Sequence, residues 1–441
     1  LINREPTIHV GIVERRPRIS GEFNGPFKLG EHSLSGGFNA TRDGDAIILI
    51  DATGEVLCRT KEIRCVAIAN STFTLHDVTI GVSFHWERKE QQTFQGDLKL
   101  KLRGDGTLTA VDVVPVEQYL ASVISSEMSA EAPPEFLKAQ AITSRSWLVA
   151  MLERERKNVG MPLQRTLQRE GELIRWYDRE DHDLFDVCAD DHCQRYQGVT
   201  KIVSGKVAEA VAATRGVFLI HDNRICDARF SKSCGGLTER FENCWEDSPV
   251  PYLQCVSDSL RPHSQITNEV QALDWIRVRP DAYCNTADSQ LLKQILPSFD
   301  QETTDFFRWK SEYRREELEE VLREKSGIDF GTLMDLVPVQ RGLSGRIVRL
   351  RIKGTKKTLT VGKELEIRRW LSKSHLYSSA LVVETERGSA GVPVRFVLHG
   401  AGWGHGVGLC QIGAAVMATR GFKAEDILRH YFTGVETKKL Y

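Results

Sequence analysis

The sequence predicts an α+β fold: a mixed, β-rich core around a central helix pair, with an N-terminal β region and a helical elaboration. Three observations carry that expectation. Short apolar runs such as Ala46 to Ile50 lie between Gly and Asp turns from Ile8 to about Phe94, the pattern of successive strands. The clean alternation of Asp97 to Leu102, the turn at Gly104-Asp105-Gly106 and the returning run Thr107 to Val114 describe a hairpin. The period then changes between Pro115 and Lys157. Val116, Leu120, Val123, Ile124 and Met128 recur three and four residues apart, as on the buried stripe of a helix.

The helix pair is broken between Ser129 and Pro134. Pro134 and Glu135 are good start signals for the second helix. Its middle, Ala139-Gln140-Ala141 and Ser144-Arg145-Ser146, is built of small side chains that let another element approach closely. Two residues are out of keeping with a plain core. Glu127 falls on the apolar stripe, where partial desolvation would favour the protonated carboxyl of a general acid. The plainer reading is a helix-end glutamate in solvent or in a salt bridge. Arg145 falls near the packed face, where a fixed charge wants an acidic partner or a ligand. The alternative is an arginine laid along the helix surface.

Further on, Gly216 to Ile220 reads as a strand and Ser233 to Gly236 as a glycine turn. From about Pro262 to Lys325 the pattern is helical. Glu312 to Lys325 is densely charged, with Leu318, Val321 and Leu322 on one face. Arg346 to Gly354 alternates again, placing Val348, Leu350 and Ile352 on one side of a strand. The expected organisation is an N-terminal β region over 1–96, a core over 97–261 and 335–441, and a helical insertion over 262–334.

A length of 441 residues suits two or three units around a sizeable core. The formal net charge of -1 argues against a nucleic-acid or anionic-membrane partner. No apolar run approaches the ~20 residues of a membrane span. The sequence opens at Leu1 without a basic and apolar leader. The 10 cysteines, scattered except for one cluster, leave the redox compartment open.

Two motifs could carry chemistry. Val394 to Gly421 runs from a strand through a glycine-rich loop into a helix from about Leu409. Gly402, Gly404, Gly406 and Gly408 alternate around Trp403 and His405, a spacing that fits neither nucleotide-binding glycine loop. It offers close backbone approach to a ligand, against the plainer reading of a tight loop with a core histidine. The second motif is His182, Cys188, His192 and Cys193. Two imidazoles and two thiols are a full tetrahedral set for zinc, with a Cys188–Cys193 disulfide or uninvolved thiols as the alternatives.

Read together, EQYLASVISSEM, EFLKAQAITSRSW and the terminal GAGWGHGVGLCQIGAAVMATRG resemble the stage II sporulation protein D family. That family groups sporulation lytic transglycosylases with amidase-enhancer proteins of the bacterial envelope. Ser231 to Asp258 is similar to its GG-T and W…PYL segments, and SGRIVRLRIKG with ELEIRRWL to its later strand and helix. The resemblance spans most of Pro115 to Gly434 and is weak in the N-terminal β region. The stretch from Pro262 to Met334 is longer than usual for the family.

The resemblance implies a catalytic groove at the helix pair, with Glu127 as its acid and Arg145, Ser233, His405 and Gln411 as substrate-binding residues. His182, Cys188, His192 and Cys193 match the part of some members that carries a zinc site near the groove. Cys410 falls where many members have a small or apolar residue, and no role is assigned to it. The implied reaction cleaves peptidoglycan strands, stripped of stem peptides, between N-acetylmuramic acid and N-acetylglucosamine to leave 1,6-anhydro ends. One carboxyl group serves where the usual glycosidase needs two. The implied location is extracytoplasmic, and a cell-wall amidase is the implied protein partner. Two other classes remain. One is a non-catalytic, glycan-binding activator of such an amidase. The other is a two-carboxylate hydrolase with Glu131, Asp178 or Glu239 facing Glu127.

Overall fold

The computed structural model describes residues 2–81, 87–157, 165–177, 182–190, 193–202, 204–297, 300–301, 303 and 305–441. The fold is α+β and β-rich, as the sequence predicts. The chain forms two compact units. One comprises Leu1–Glu131, Arg179–Val217 and Lys439–Tyr441, the other Ala132–Asp178 and Phe218–Lys438.

The first unit is built on an eleven-stranded sheet. Its first ten strands are β1 (Thr7–Arg16), β2 (Arg18–Leu29), β3 (His32–Asp43), β4 (Ala46–Asp51), β5 (Val56–Thr60), β6 (Glu62–Ala67), β7 (Thr72–Ile80), β8 (Arg88–Phe94), β9 (Asp97–Leu102) and β10 (Leu108–Pro115). The main path runs from the short strand Val187–Cys188 through β1, β10, β9, β6, β2, β3 and β4 to β5, while β7 pairs with β2 and β8. The β9–β10 hairpin closes with Leu102 opposite Leu108. Leu98 and Leu100 are buried while Lys99 and Lys101 keep contact with solvent, as the alternation requires. β10 lies between β1 and β9 and is buried from Leu108 to Val114, a mostly apolar run that also encloses Thr109 and Asp112.

β10 passes straight into helix α1 (Val116–Glu127). Val116, Tyr119, Leu120, Val123 and Ile124 are fully enclosed. Each aliphatic one contributes about 1.5–3 kcal/mol by leaving water. Met128 takes an extended conformation and its N–H closes the helix on the Ile124 carbonyl.

The second unit opens with helix α2 (Pro134–Lys157). The break between the two helices falls where the sequence places it. A five-stranded sheet joins Thr166–Arg169, Glu172–Arg175, Thr358–Gly362, Ile347–Gly354 and Leu333–Arg341 in that order. A second sheet sets Pro393–Ala401 between Arg308–Arg314 and Leu381–Arg387. The helix Arg315–Ser326 turns Leu318 and Leu322 into the shared core with Trp309, Leu350, Trp370 and Phe396. It ends at Gly327, whose φ of 70° is the left-handed cap that glycine adopts freely.

One strand departs from the sequence reading. Arg308–Arg314 lies in the stretch read as helical, yet it pairs antiparallel with Pro393–Ala401, Trp309 opposite Gly400. Gly400 is required there, since a Cβ would sit 2.1 Å from the Trp309 ring. The run of charges in RWKSEYRREELEE hid a short half-buried strand that passes directly into the helix.

Candidate functional site

In the first unit, α1 is lined by the segment Gln194–Gln197. The Tyr119 hydroxyl donates to Gln194 Oε1 at 3.2 Å, and the Gln197 N–H donates to Ser122 Oγ at 3.1 Å. Nearer the helix end, the Arg195 N–H donates to Glu127 Oε1 at 2.9 Å. Glu127 is 9 % exposed, so the residue is nearly enclosed. Tyr196 anchors the segment. Its ring stacks on Tyr119 with centroids 5.1 Å apart, and its hydroxyl donates to Asp112 Oδ2 at 2.5 Å. Asp112 is fully buried, and burial pushes its carboxyl up to about 8 despite that hydrogen bond.

The loop that precedes this segment carries the predicted metal ligands. His182, Cys188 and Cys193 place their ligand atoms within 4.8 Å of one another. His182 Nε2 lies 3.3 Å from Cys193 Sγ. Cys188 is held by its strand, whose Val187 and Cys188 pair with Val10 and Gly11 of β1. Gly11 makes room for the Phe185 ring, which a Cβ would meet at 2.4 Å. Further ties fix the loop to the sheet: Arg103 to Asp183 at 2.9 Å, Lys101 Nζ to the Leu184 carbonyl at 2.9 Å, and the His9 N–H to Asp186 Oδ2 at 2.8 Å. An imidazole and two thiols converging in this way suit zinc. The fourth predicted ligand, His192, lies outside the described residues, so three of the four are seen to converge.

Arg145, Ser233, His405 and Gln411 all belong to the second unit. Arg145 is fully buried on α2, with Nη1 3.5 Å from the Ala141 carbonyl of the preceding turn. Ser233 and Trp403 exchange backbone hydrogen bonds of 3.1 and 2.8 Å, which lays the glycine-rich loop against the Ser231–Gly236 segment. Buried Ser233 Oγ and Gln411 Nε2 find no hydrogen-bond partner among the described residues. His405 packs edge-on against Trp245 at 4.9 Å and accepts the Val407 N–H on Nδ1 at 3.0 Å. Burial, and then the guanidinium groups of Arg229, Arg346 and Arg368, push its pKa well below the usual imidazole value, so the ring is neutral.

The alternating glycines have a reason that the sequence did not show. All four take positive φ, between 73° and 93°. Their Cα atoms face other parts of the protein. A Cβ on Gly406 would meet the buried Arg346 guanidinium at 2.3 Å, and one on Gly408 would meet the Arg229 carbonyl at 2.1 Å. Arg346 in turn donates to the carbonyls of Gly404 and Cys234 at 3.1 and 3.2 Å. The close approach expected for a ligand is, for these two glycines, an approach to the protein's own arginine and backbone.

Of the carboxylates weighed beside Glu127, Glu239 is fully buried in the second unit. It accepts from the Arg240 N–H, Asn243 Nδ2 and the Ser344 hydroxyl. That bonding makes it a bracing group for neighbouring loops. Glu131 is exposed and pairs with Lys206 at 2.6 Å, and the Lys206 hydrogen bond holds its carboxyl below the ordinary value. Asp178 lies outside the described residues. Another group sits in the second unit: Cys234, Asp258, Cys284 and Cys410, all buried, bring their ligand atoms within 4.8 Å of one another. Its four residues share no short spacing, so no local sequence pattern announces it.

Comparison with known proteins bears on the same segments. Residues 104–221 match the stage II sporulation protein family model, and residues 239–408 match a domain of unknown function. The stage II sporulation protein D of Bacillus amyloliquefaciens is 24% identical over 74% of this chain and 75% of its own. That of Bacillus subtilis is 24% identical over 74% of this chain and 75% of its own. The amidase enhancer of Bacillus subtilis is 23% identical over 51% of this chain and 32% of its own. The first match covers β10, both helices and the loop of His182, Cys188 and Cys193, so the chain carries a stage II sporulation protein domain over that stretch and is similar to stage II sporulation protein D over about three quarters of its length.

Proposed function

We propose that the protein is a lytic transglycosylase that cleaves the N-acetylmuramic acid–N-acetylglucosamine bond of peptidoglycan strands stripped of peptide. The observation that carries this reading is the nearly enclosed Glu127 carboxyl group, with one oxygen held by the Arg195 N–H at the end of α1. A carboxyl group held in one orientation at a helix end is placed for proton transfer. Glu127 gives its proton to the glycosidic oxygen as the bond to the anomeric carbon breaks. The carboxylate left behind takes the proton of the muramyl 6-hydroxyl as that oxygen attacks the same carbon. The product is a 1,6-anhydro end, and Glu127 finishes protonated, ready for another turnover. No water is consumed and no second carboxylate is required, unlike ordinary glycoside hydrolysis.

His182, Cys188 and Cys193, with His192, would hold zinc in a closed four-ligand site. Such a site supplies structural constraint. It fixes the loop whose continuation, two residues past Cys193, presents the Arg195 N–H to Glu127. The buried Arg145, Ser233 and Gln411 and the half-buried His405 serve in this reading by shaping the glycine loop and α2 for glycan binding. The setting is extracytoplasmic, where the substrate lies.

The test is muropeptide mass spectrometry after incubation with purified denuded glycan strands. Anhydro-muramyl ends support the reading, and reducing ends would replace it with hydrolysis. The similarity to an amidase enhancer favours one other reading, a glycan-binding activator of a cell-wall amidase. Intact strands together with faster turnover by an added amidase would establish it.

A further inference from the structure

We propose that Cys234, Asp258, Cys284 and Cys410 form a second, structural metal site, with Zn2+ as its ion. All four side chains are buried, at 2 %, 0 %, 2 % and 0 % exposure. Their ligand atoms lie within 4.8 Å of one another, close enough to converge on one ion. Cys234 Sγ and Cys284 Sγ are 3.8 Å apart. A regular tetrahedron with zinc–sulfur bonds of about 2.3 Å has sulfur–sulfur edges of about 3.8 Å. A disulfide would bring the sulfurs to about 2.05 Å. Two thiols in van der Waals contact have similar spacing. What separates this group from such a pair is a third sulfur and a carboxylate around the same point.

The surroundings suit an ion as well. The Cys234 N–H donates to Cys410 Sγ at 3.2 Å, and the Gly236 N–H to Cys234 Sγ at 3.4 Å. Asp258 takes one hydrogen bond on each oxygen, from the Cys284 N–H at 2.8 Å and the Tyr431 hydroxyl at 2.5 Å. Hydrogen bonds of this kind orient metal ligands and leave each carboxylate oxygen a lone pair. Both donors to Asp258 are neutral, so nothing bonded to this buried carboxyl group balances an ionised form. Arg308 feels the thiols of Cys284 and Cys234, yet its guanidinium is bonded to the carbonyls of Gly235, Phe307, Trp275 and Val278. Gly413 packs against Asp258 with no room for a side chain, since a Cβ would lie 2.3 Å from Oδ1.

Four protein ligands with no opening to solvent describe a closed site, which is structural. The ion would tie together four separate segments. Cys234 belongs to the segment against which the glycine loop lies, and Cys410 sits at the start of the helix Gln411–Thr419, 176 residues later. Cys284 lies 50 residues beyond Cys234, within the elaboration that the sequence analysis placed at 262–334. The site thus pins that elaboration to the glycine loop and its helix. It is separate from the His182 loop and does not depend on the proposed reaction.

The experiment measures zinc by inductively coupled plasma mass spectrometry on the full chain, purified without chelator. The double variant Cys188→Ser/Cys193→Ser removes the loop site. It is expected to keep about one zinc per chain, as one closed four-ligand site requires. Adding Cys284→Ser should then remove it. Should that variant fail to fold, cobalt exchange into the folded double variant decides instead. A thiolate-to-cobalt charge-transfer band with tetrahedral d–d transitions is expected, and Asp258→Asn should shift those transitions. A folded double variant that holds no metal would overturn the proposal, and so would a Cys234–Cys284 disulfide in its peptide map.

Discussion

The Arg195 N–H donates to Glu127 Oε1 at 2.9 Å, and Arg195 is only two residues past Cys193. The carboxyl group at the end of α1 and the loop of His182, Cys188 and Cys193 are therefore one piece of construction. Removing the acid should leave that construction standing. Glu127→Gln keeps an oxygen for the Arg195 N–H but has no acidic proton. Cleavage of denuded strands should fall at least ~10²-fold, the usual size of a lost general acid, with unchanged circular dichroism. Near-normal release of anhydro ends would take Glu127 out of the mechanism.

Loss of metal from the loop should act through the same contact. Cys188→Ser is expected to lower zinc content by one equivalent and to reduce cleavage by roughly 10–100-fold, as when groups that position a site are disturbed. The split is diagnostic: kcat should fall more than KM rises, because an unseated Arg195 N–H leaves the acid misdirected while glycan still binds. A variant with unchanged kcat would confine the loop to a purely local structural role.

The sequence made α1 legible because burial leaves a period. Val116, Leu120, Val123 and Ile124 are all enclosed, and Glu127 stood out by occupying their stripe. The convergence of His182, Cys188 and Cys193 was legible because the three lie close in sequence. What stayed hidden depends on contacts made at long range. Cys234, Asp258, Cys284 and Cys410 meet only after chain segments of 50 and 176 residues fold back. The strand Arg308–Arg314 was masked because Lys310, Glu312 and Arg314 are exposed while Trp309 alone is deeply buried. The glycine alternation was visible, but its cause lies in Arg346 and in the Arg229 carbonyl, which no local pattern announces.

Asp112 gives the first unit a pH dependence of known sign. Burial raises its carboxyl from an ordinary 3.8 to about 8 in the folded chain. The folded state therefore holds a proton that the unfolded chain releases near pH 4. Its contribution is complete below about pH 4 and is lost as pH rises toward 8. A tenfold change in protonation is about 1.4 kcal/mol, so the loss over that window is on the order of several kcal/mol. Asp112→Asn mimics the neutral acid and should flatten this slope. Thermal melts of both proteins at pH 5 and pH 8 measure it, with the variant gaining on the parent at pH 8. Because Tyr196 joins Asp112 to the segment that holds Glu127, alkaline loss of cleavage should lessen in the variant too. Parallel melting slopes would show that Asp112 does not titrate in this range.

The glycine loop offers a separation of two costs that usually come together. Gly408 has a φ of 73°, and a Cβ there would lie 2.1 Å from the Arg229 carbonyl oxygen, a backbone atom that cannot swing aside. Gly391 has almost the same φ, 75°, but a Cβ there would meet nothing within 4 Å. Gly391→Ala thus bears only the cost of the left-handed conformation, about 1–3 kcal/mol for a residue other than glycine. Gly408→Ala bears that cost and must also push apart the pairing of Phe230–Ser231 with Leu409–Cys410. A loss of 1 kcal/mol shifts the melting temperature by roughly 2–4 °C in a unit of 150–250 residues. Gly391→Ala should therefore melt a few degrees below the parent, and Gly408→Ala should fall well beyond it. Cys410 lies two residues past Gly408, so the larger fall should come with loss of metal from the second site if that site is filled. Equal shifts for the two variants would mean that the loop yields around Arg229, and that its glycines are kept for conformation alone.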